Sequence, residues 1–182
     1  MPARLKAEST ALLVVDVQEK LVPAIAEADV VVQQIGQLID GAKVLQIPIL
    51  VTEQYRKGLG RTVPQLAKRL DHAVCNVEKL KFSACIEPIR SALSDLGART
   101  VLVCGIEAHV CVLQSCLDLL EAGYVVAVAV DAVGARRRLD RDMAIQRLEQ
   151  AGVVPTTVES GLLEMIHAAG TEPFKAILPL IR

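Results

Sequence analysis

The sequence predicts a three-layer α/β/α fold built on an open, parallel, six-stranded sheet of the Rossmann-like kind. Three observations predict it. Short runs of Val, Ile and Leu recur along the chain without alternating polar residues, as strands buried on both faces do. Segments with apolar residues at helical spacing separate those runs, the pattern of parallel strands joined by crossover helices. The 182 residues suit one domain, 1–182, with a sizeable core, and no linker-like stretch, internal repeat or low-complexity segment divides them.

Taken in order, residues 11–15 read as a buried strand that ends at Asp16. Residues 30–46 read as a long helix and 47–52 as a second strand, with Pro48 near its start, where a missing N–H is tolerable. Residues 62–70 form a short helix with Pro64 in its first turn, and 73–77 a short third strand. A helix over 86–96 stops at Gly97, and a fourth strand covers 100–104. The chain breaks at Gly105, and a helical pattern opens near Val110 and runs to Glu121. Strand five covers 124–130, a helix 141–150 stops at Gly152, and strand six covers 153–158. Helices over 162–169 and 173–181 close the chain.

Composition limits the function classes. A formal net charge of -1 gives no electrostatic case for nucleic acid or an anionic membrane. Aromatic residues make up 2% with no Trp, which argues against base- or sugar-stacking platforms. No apolar run approaches the ~20 residues that span a bilayer, and the first residues show no signal-peptide core. Five cysteines (75, 85, 104, 111, 116) form no CxxC pair, so reduced thiols in a cytoplasmic setting are expected.

Open α/β sheets bind ligands outside the carboxyl ends of their strands. Asp16 follows the first strand, Lys79 the third and Cys111 the fourth. Parallel neighbouring strands bring the three to one rim. Cys111 falls on the first turn of a helix, where the dipole favours an anion, so a lowered thiol pKa is expected. Asp16 is then a general base for the thiol, Lys79 an electrostatic support, and the amides of the Cys111 turn an oxyanion hole. Each residue also has a plainer reading. A buried Cys is usually a small hydrophobe, the reading that suits Cys75, Cys85, Cys104 and Cys116. Asp16 serves equally as a helix cap, and Lys79 as a solvated charge. His109, two residues from Cys111, is poorly spaced to face it on a helix and reads as a cap or pocket wall. The basic run Arg136–Arg138 reads as a solvated loop, with an anion or subunit contact as the alternative.

The motifs Val14-Val-Asp-Val-Gln18, Glu78-Lys-Leu-Lys-Phe-Ser83 and Gly105-Ile-Glu-Ala-His-Val-Cys-Val112 stand in an order and spacing that resembles the isochorismatase-like cysteine hydrolases over nearly the whole chain. Thr52-Glu-Gln-Tyr-Arg-Lys-Gly-Leu-Gly60 and Pro173-Phe-Lys-Ala-Ile177 are similar to the subgroup of isochorismatase domain-containing proteins. The resemblance implies an Asp–Lys–Cys triad of Asp16, Lys79 and Cys111. Lys79, not Lys81, lies three residues before the Phe82-Ser83 pair that marks the family's lysine. It implies a cis peptide joining Ile106 to Glu107, with the Glu107 and Cys111 N–H groups aimed at an oxyanion. Gln18, Tyr55 and Phe82 are candidate substrate contacts.

One family branch departs from this chain. Nicotinamidases carry a metal held by an Asp-x-His element and a further His after the second strand; here Thr52-Glu-Gln-Tyr55 stands there, and His72, His109 and His167 are scattered. No metal and no cofactor are therefore expected. The expected activity is hydrolysis of a C–N bond in a small amide-type molecule through a Cys111 thioester. The alternatives are a nicotinamidase-type amidase and a catalytically silent interaction protein on the same fold. Family members are dimers and larger assemblies, so a homo-oligomer is expected, and the apolar tail 174–181 suits a packed terminus or a subunit contact.

Overall fold

The computed structural model describes residues 4–181. Six parallel strands form one open sheet in the order β3-β2-β1-β4-β5-β6. The strands are β1 (Thr10–Val15), β2 (Ile49–Gln54), β3 (Cys75–Lys79), β4 (Thr100–Ile106), β5 (Val125–Gly134) and β6 (Val154–Thr156). The order reverses between β1 and β4, which makes their carboxyl ends the place where such sheets bind ligands.

The helices are α1 (Ala28–Val44), α2 (Arg56–Leu59), α3 (Pro64–Ala67), α4 (Glu87–Asp95), α5 (Leu113–Glu121), α6 (Arg138–Gln150), α7 (Val158–Ile166) and α8 (Glu172–Ile177). Two apolar layers sandwich the sheet, and β1 shows why its run is unbroken. Leu12 and Val14 join the layer formed with Ile35, Leu38 and Ile39 of α1 and Leu162 of α7. Leu13 and Val15 point to the opposite layer, with Ile89 and Leu93 of α4, Leu119 of α5 and Leu148 of α6. Burying one such side chain fully stabilises the fold by about 1.5–3 kcal/mol, so both layers are needed to offset chain entropy.

Every predicted strand forms, but several boundaries move. Helix α1 starts two residues early, and β2 starts two residues late, because the Ile47 amide still donates to Ala42 and leaves 47–48 in the turn. β3 is an edge strand whose residues alternate between half-buried and exposed up to Lys79, so its apolar signal is weak and the predicted range stops two residues short. β5 runs on to Gly134 through a register shift opposite Val103 and Gly105. The closing helices also shift. Thr157 caps α7 through the Ser160 amide, so Val158, expected to end strand six, begins a helix. The four-residue α2 was not expected at all; Tyr55, in the left-handed region at φ 38°, turns the chain into it. In the tail, Ile177 is wholly buried in the layer that contains α1.

Gly105 lies at the centre of this arrangement. It pairs with Val15 across β1 and β4 at φ 124°, and a Cβ there would stand 2.1 Å from the Val15 carbonyl oxygen. Only glycine lets β4 continue past the end of β1 at that separation.

Candidate active site

Asp16, the first residue past β1, is completely buried and sits in the left-handed region at φ 52°. An Asp tolerates that conformation better than most residues, and the turn swings its carboxylate across the rim toward β2. Thr52 Oγ1 donates to Asp16 Oδ1 at 2.8 Å, and Lys79 Nζ donates to Oδ2 at 2.6 Å. Lys79 ends β3 and is 3% exposed, so its cation reaches over β2 to meet the anion of β1. The ion pair is desolvated on both sides. A buried pair of this kind persists only where hydrogen bonds occupy its remaining sites, and removing one partner costs about 3–5 kcal/mol. Here they are occupied: Lys79 Nζ also donates to Gln54 Oε1 at 2.7 Å, to the Phe82 carbonyl at 2.8 Å and to the Lys81 carbonyl at 3.2 Å. Lys81 itself is exposed and contributes only that carbonyl.

Cys111 is 6% exposed and lies in a π-helical turn, Ala108–Val112, that leads into α5. The turn opens because both the Val110 and Val112 amides converge on the Glu107 carbonyl. The charges of Asp16 and Lys79 both act on the Cys111 thiol. The electrostatic outcome corrects the sequence-based expectation of a lowered thiol pKa. Burial and the charge of Asp16 push the Cys111 thiol up to about 12, with Lys79 pulling against them. The helix-terminus argument fails because the residue is not on an open first turn: it is desolvated beside a carboxylate, and both effects disfavour a second negative charge.

Ser115, one turn further on, donates its hydroxyl to the Cys111 carbonyl at 2.5 Å and accepts from the Ala84 amide at 2.7 Å. It therefore fastens the cysteine turn to the loop that follows Lys79. Ile106–Glu107 is a cis peptide, as the family resemblance implied. The Glu107 carboxylate accepts from Arg136 Nε at 2.9 Å and from the Arg136 amide at 3.3 Å, which ties the turn to the end of β5. Nδ1 of His109 is buried without a hydrogen-bond partner among the described residues.

The three expected substrate contacts separate. Gln18 is completely buried, with Nε2 donating to the Gln54 and Gly60 carbonyls and Oε1 accepting from the Gln54 amide. It braces the wall of the rim. Tyr55 and Phe82 are 47% and 53% exposed. Thr52, Gln54 and Ser115 were not singled out from the sequence. Their signal was there in part: Thr52-Glu53-Gln54 is a polar end to an apolar strand, and Ser115 lies four residues from Cys111 on one helical face.

Among the described residues no group of three or more His, Cys, Asp and Glu is placed to hold a metal ion. Glu53, the acid nearest the rim end of β2, is committed elsewhere. Its Oε1 accepts from the amide and hydroxyl of Thr62, and its Oε2 pairs with Arg56. Those bonds hold its carboxyl below the usual range, although burial acts in the opposite direction.

Comparison with known proteins bears on the family and the fold. The Isochorismatase domain matches residues 10–160. The chain is 40% identical to the secreted isochorismatase effector Isc1 of Phytophthora sojae, over 98% of this chain and 87% of that protein. It is 38% identical to isochorismatase domain-containing protein 2 of Danio rerio, over 98% of this chain and 89% of the relative. Among solved structures, one described as the MAR1 ribonuclease of Caenorhabditis elegans superposes with a TM-score of 0.94 at 43% identity, covering 98% of this chain and 92% of the other. The YcaC gene product of Escherichia coli, described as an octameric hydrolase of unknown specificity, superposes with a TM-score of 0.90 at 25% identity, covering 98% and 93%.

Proposed function

The chain belongs to the isochorismatase family, and from that membership and the chemistry of its rim we propose that it is a cysteine hydrolase, one that cleaves a C–N bond of a small amide-type substrate through a Cys111 thioester. The observation that carries this reading is the buried Asp16–Lys79 pair whose charges act on a buried thiol at the switch point of the sheet. A structural ion pair has no need of a cysteine beside it.

The raised thiol pKa supports one order of events. At neutral pH Cys111 rests as a thiol. Loss of its proton to solvent would leave two anions beside one cation. Transfer to Asp16 leaves one anion beside the same cation, so the Asp–Cys pair keeps its charge. Asp16 takes the proton as the sulfur attacks the carbonyl carbon, and the Glu107 and Cys111 amides receive the oxyanion. Protonated Asp16 then hands its proton to the departing amine, leaving an acyl–sulfur bond. A water molecule gives a proton to Asp16 and attacks the thioester. The acid is released, and the proton returns to sulfur. Lys79 holds the charge of the pair throughout and transfers no proton.

A panel of small amides, carbamates, ureides and N-carbamoyl amino acids, with an RNA oligonucleotide beside them, tests the substrate class. Cys111→Ala should abolish turnover of whichever compound is cleaved, and a slow substrate should leave an acyl mass on Cys111. Full turnover by the variant excludes the thioester route. RNA cleavage in place of amide cleavage would transfer to this chain the activity ascribed to the nematode relative. Stoichiometric zinc or iron in the purified protein would favour the nicotinamidase-type alternative.

We place the protein in a reducing compartment, on the strength of five unpaired cysteines, and as a homo-oligomer, on the strength of the octameric relative. No described helix is long and apolar enough to cross a membrane.

A further inference from the structure

We infer that Gln54 is a positioning residue for this reaction: its side-chain carbonyl, oriented by the bond from Nε2 to the Leu80 carbonyl on a backbone held by Gln18, supplies the neutral partner that holds the Lys79 ammonium against Asp16. The inference rests on the reading of Asp16, Lys79 and Cys111 as the reacting set.

The geometry is closed on every side. An ammonium has three protons. Lys79 directs them at Asp16 Oδ2, Gln54 Oε1 and the neighbouring carbonyls of Phe82 and Lys81. The Gln54 amide can sit only one way round, because its Nε2 donates to the Leu80 carbonyl at 2.8 Å. Flipping it would set an NH₂ group against the ammonium and a carbonyl against a carbonyl. The backbone of Gln54 is equally fixed. Gln18 accepts from its amide at 2.6 Å and donates to its carbonyl at 2.9 Å. The relay Gln18–Gln54–Lys79–Asp16 therefore runs through buried groups and ends on the carboxylate whose charge acts on the thiol.

The neutrality of Gln54 sets the charge count. With one carboxylate at hand, the Lys79 cation is balanced once and remains able to stabilise the single negative charge that moves between Asp16 and Cys111. A second carboxylate at position 54 would neutralise Lys79 a second time and leave the thiolate uncompensated. The charged groups acting on the thiol are Asp16 from the end of β1 and Lys79 from the end of β3. Glu107 and His109 belong to its own turn, and Glu107 is paired with Arg136.

The thiol reports on this directly and needs no substrate. Iodoacetamide labelling of Cys111 between pH 7 and 10 should be followed by peptide mass spectrometry, with the partly exposed Cys85 as internal reference. In Gln54→Glu, Cys111 should react about tenfold more slowly at each pH, a shift of about one pH unit in its titration, while Cys85 is unchanged. In Gln54→Met, which keeps the volume and removes the acceptor, the slowing should be smaller, and kcat for any cleaved amide should fall with KM little changed. A merely structural role predicts a lower Tm with Cys85 and Cys111 both reacting faster, and that result overturns the inference. So does unchanged Cys111 labelling in both folded variants. If Cys111→Ala keeps full turnover while Gln54→Glu slows the thiol, the hydrolase reading fails and the role of Gln54 in holding Lys79 stands.

Discussion

At the residue scale, the informative fact about Cys111 is that its neighbours oppose ionisation. The thiol is pushed up to about 12 by burial and then by the charge of Asp16. Asp16→Asn removes that charge and leaves Lys79 in place, so the thiol pKa must fall. Cys111 in the variant should be alkylated faster at pH 8 than in the parent, by about tenfold for each unit of the fall. Turnover should nevertheless drop by about 10²–10⁴-fold, the usual contribution of a general base. A more reactive cysteine in a dead enzyme separates general-base activation from a preformed thiolate. Slower alkylation in Asp16→Asn would contradict the assigned roles. That Asp16, Lys79 and Cys111 follow three strands to one rim was legible in the sequence because each is an unusual residue type at or just past the end of an apolar run. The direction of the thiol shift was not, because desolvation depends on what covers Cys111, and no local pattern records that.

At the element scale, the site depends on how the ends of β1, β2, β3 and the turn after β4 are tied together. Ser115 on α5 makes one such tie, linking the Cys111 carbonyl to the Ala84 amide. Ser115→Ala leaves both groups buried without that partner. It should cost about 1–3 kcal/mol, read as a lowered midpoint in urea denaturation. The catalytic signature should be a fall in kcat larger than any rise in KM, because the nucleophile turn loosens while the exposed Tyr55 and Phe82 are untouched. A variant with parental kcat would show that α5 and the loop after β3 hold their places without Ser115. Strands and helices were readable here from Val-rich runs and from Gly97, Gly123 and Gly152 beyond helix ends. What escaped were features made by tertiary contact: the π-helical turn, the extension of β5 through its register shift, and the half-exposed edge strand β3 that delivers Lys79.

For the whole molecule, the sheet order follows from the sequence pattern only as a class, yet that class already placed Asp16, Lys79 and Cys111 on one rim, since parallel strands share their carboxyl side. The two-sided core that makes this possible also contains cysteines, and they couple folding to pH. Cys104, Cys111 and Cys116 are buried, and burial raises all three thiols, Cys111 and Cys116 to about 12. In the unfolded chain the same thiols ionise near 8.5. Below that pH both states hold the protons, and the stability contribution of the neutral thiols is complete. Above it the unfolded chain releases protons that the folded core retains, so stability falls as pH rises, by about 1.4 kcal/mol per pH unit for each thiol. Three thiols give about 4 kcal/mol per unit, enough to remove the margin of an ordinary domain within two or three units. The urea midpoint should therefore be steady from pH 7 to 8 and decline steeply from pH 9 upward, under reducing conditions. Cys104→Ala should make the decline shallower by about a third, whatever it costs at neutral pH, because Cys104 lies away from the reacting set and acts only through its burial. A midpoint that stays level to pH 10.5 would mean that these thiols are reached by water before the chain unfolds.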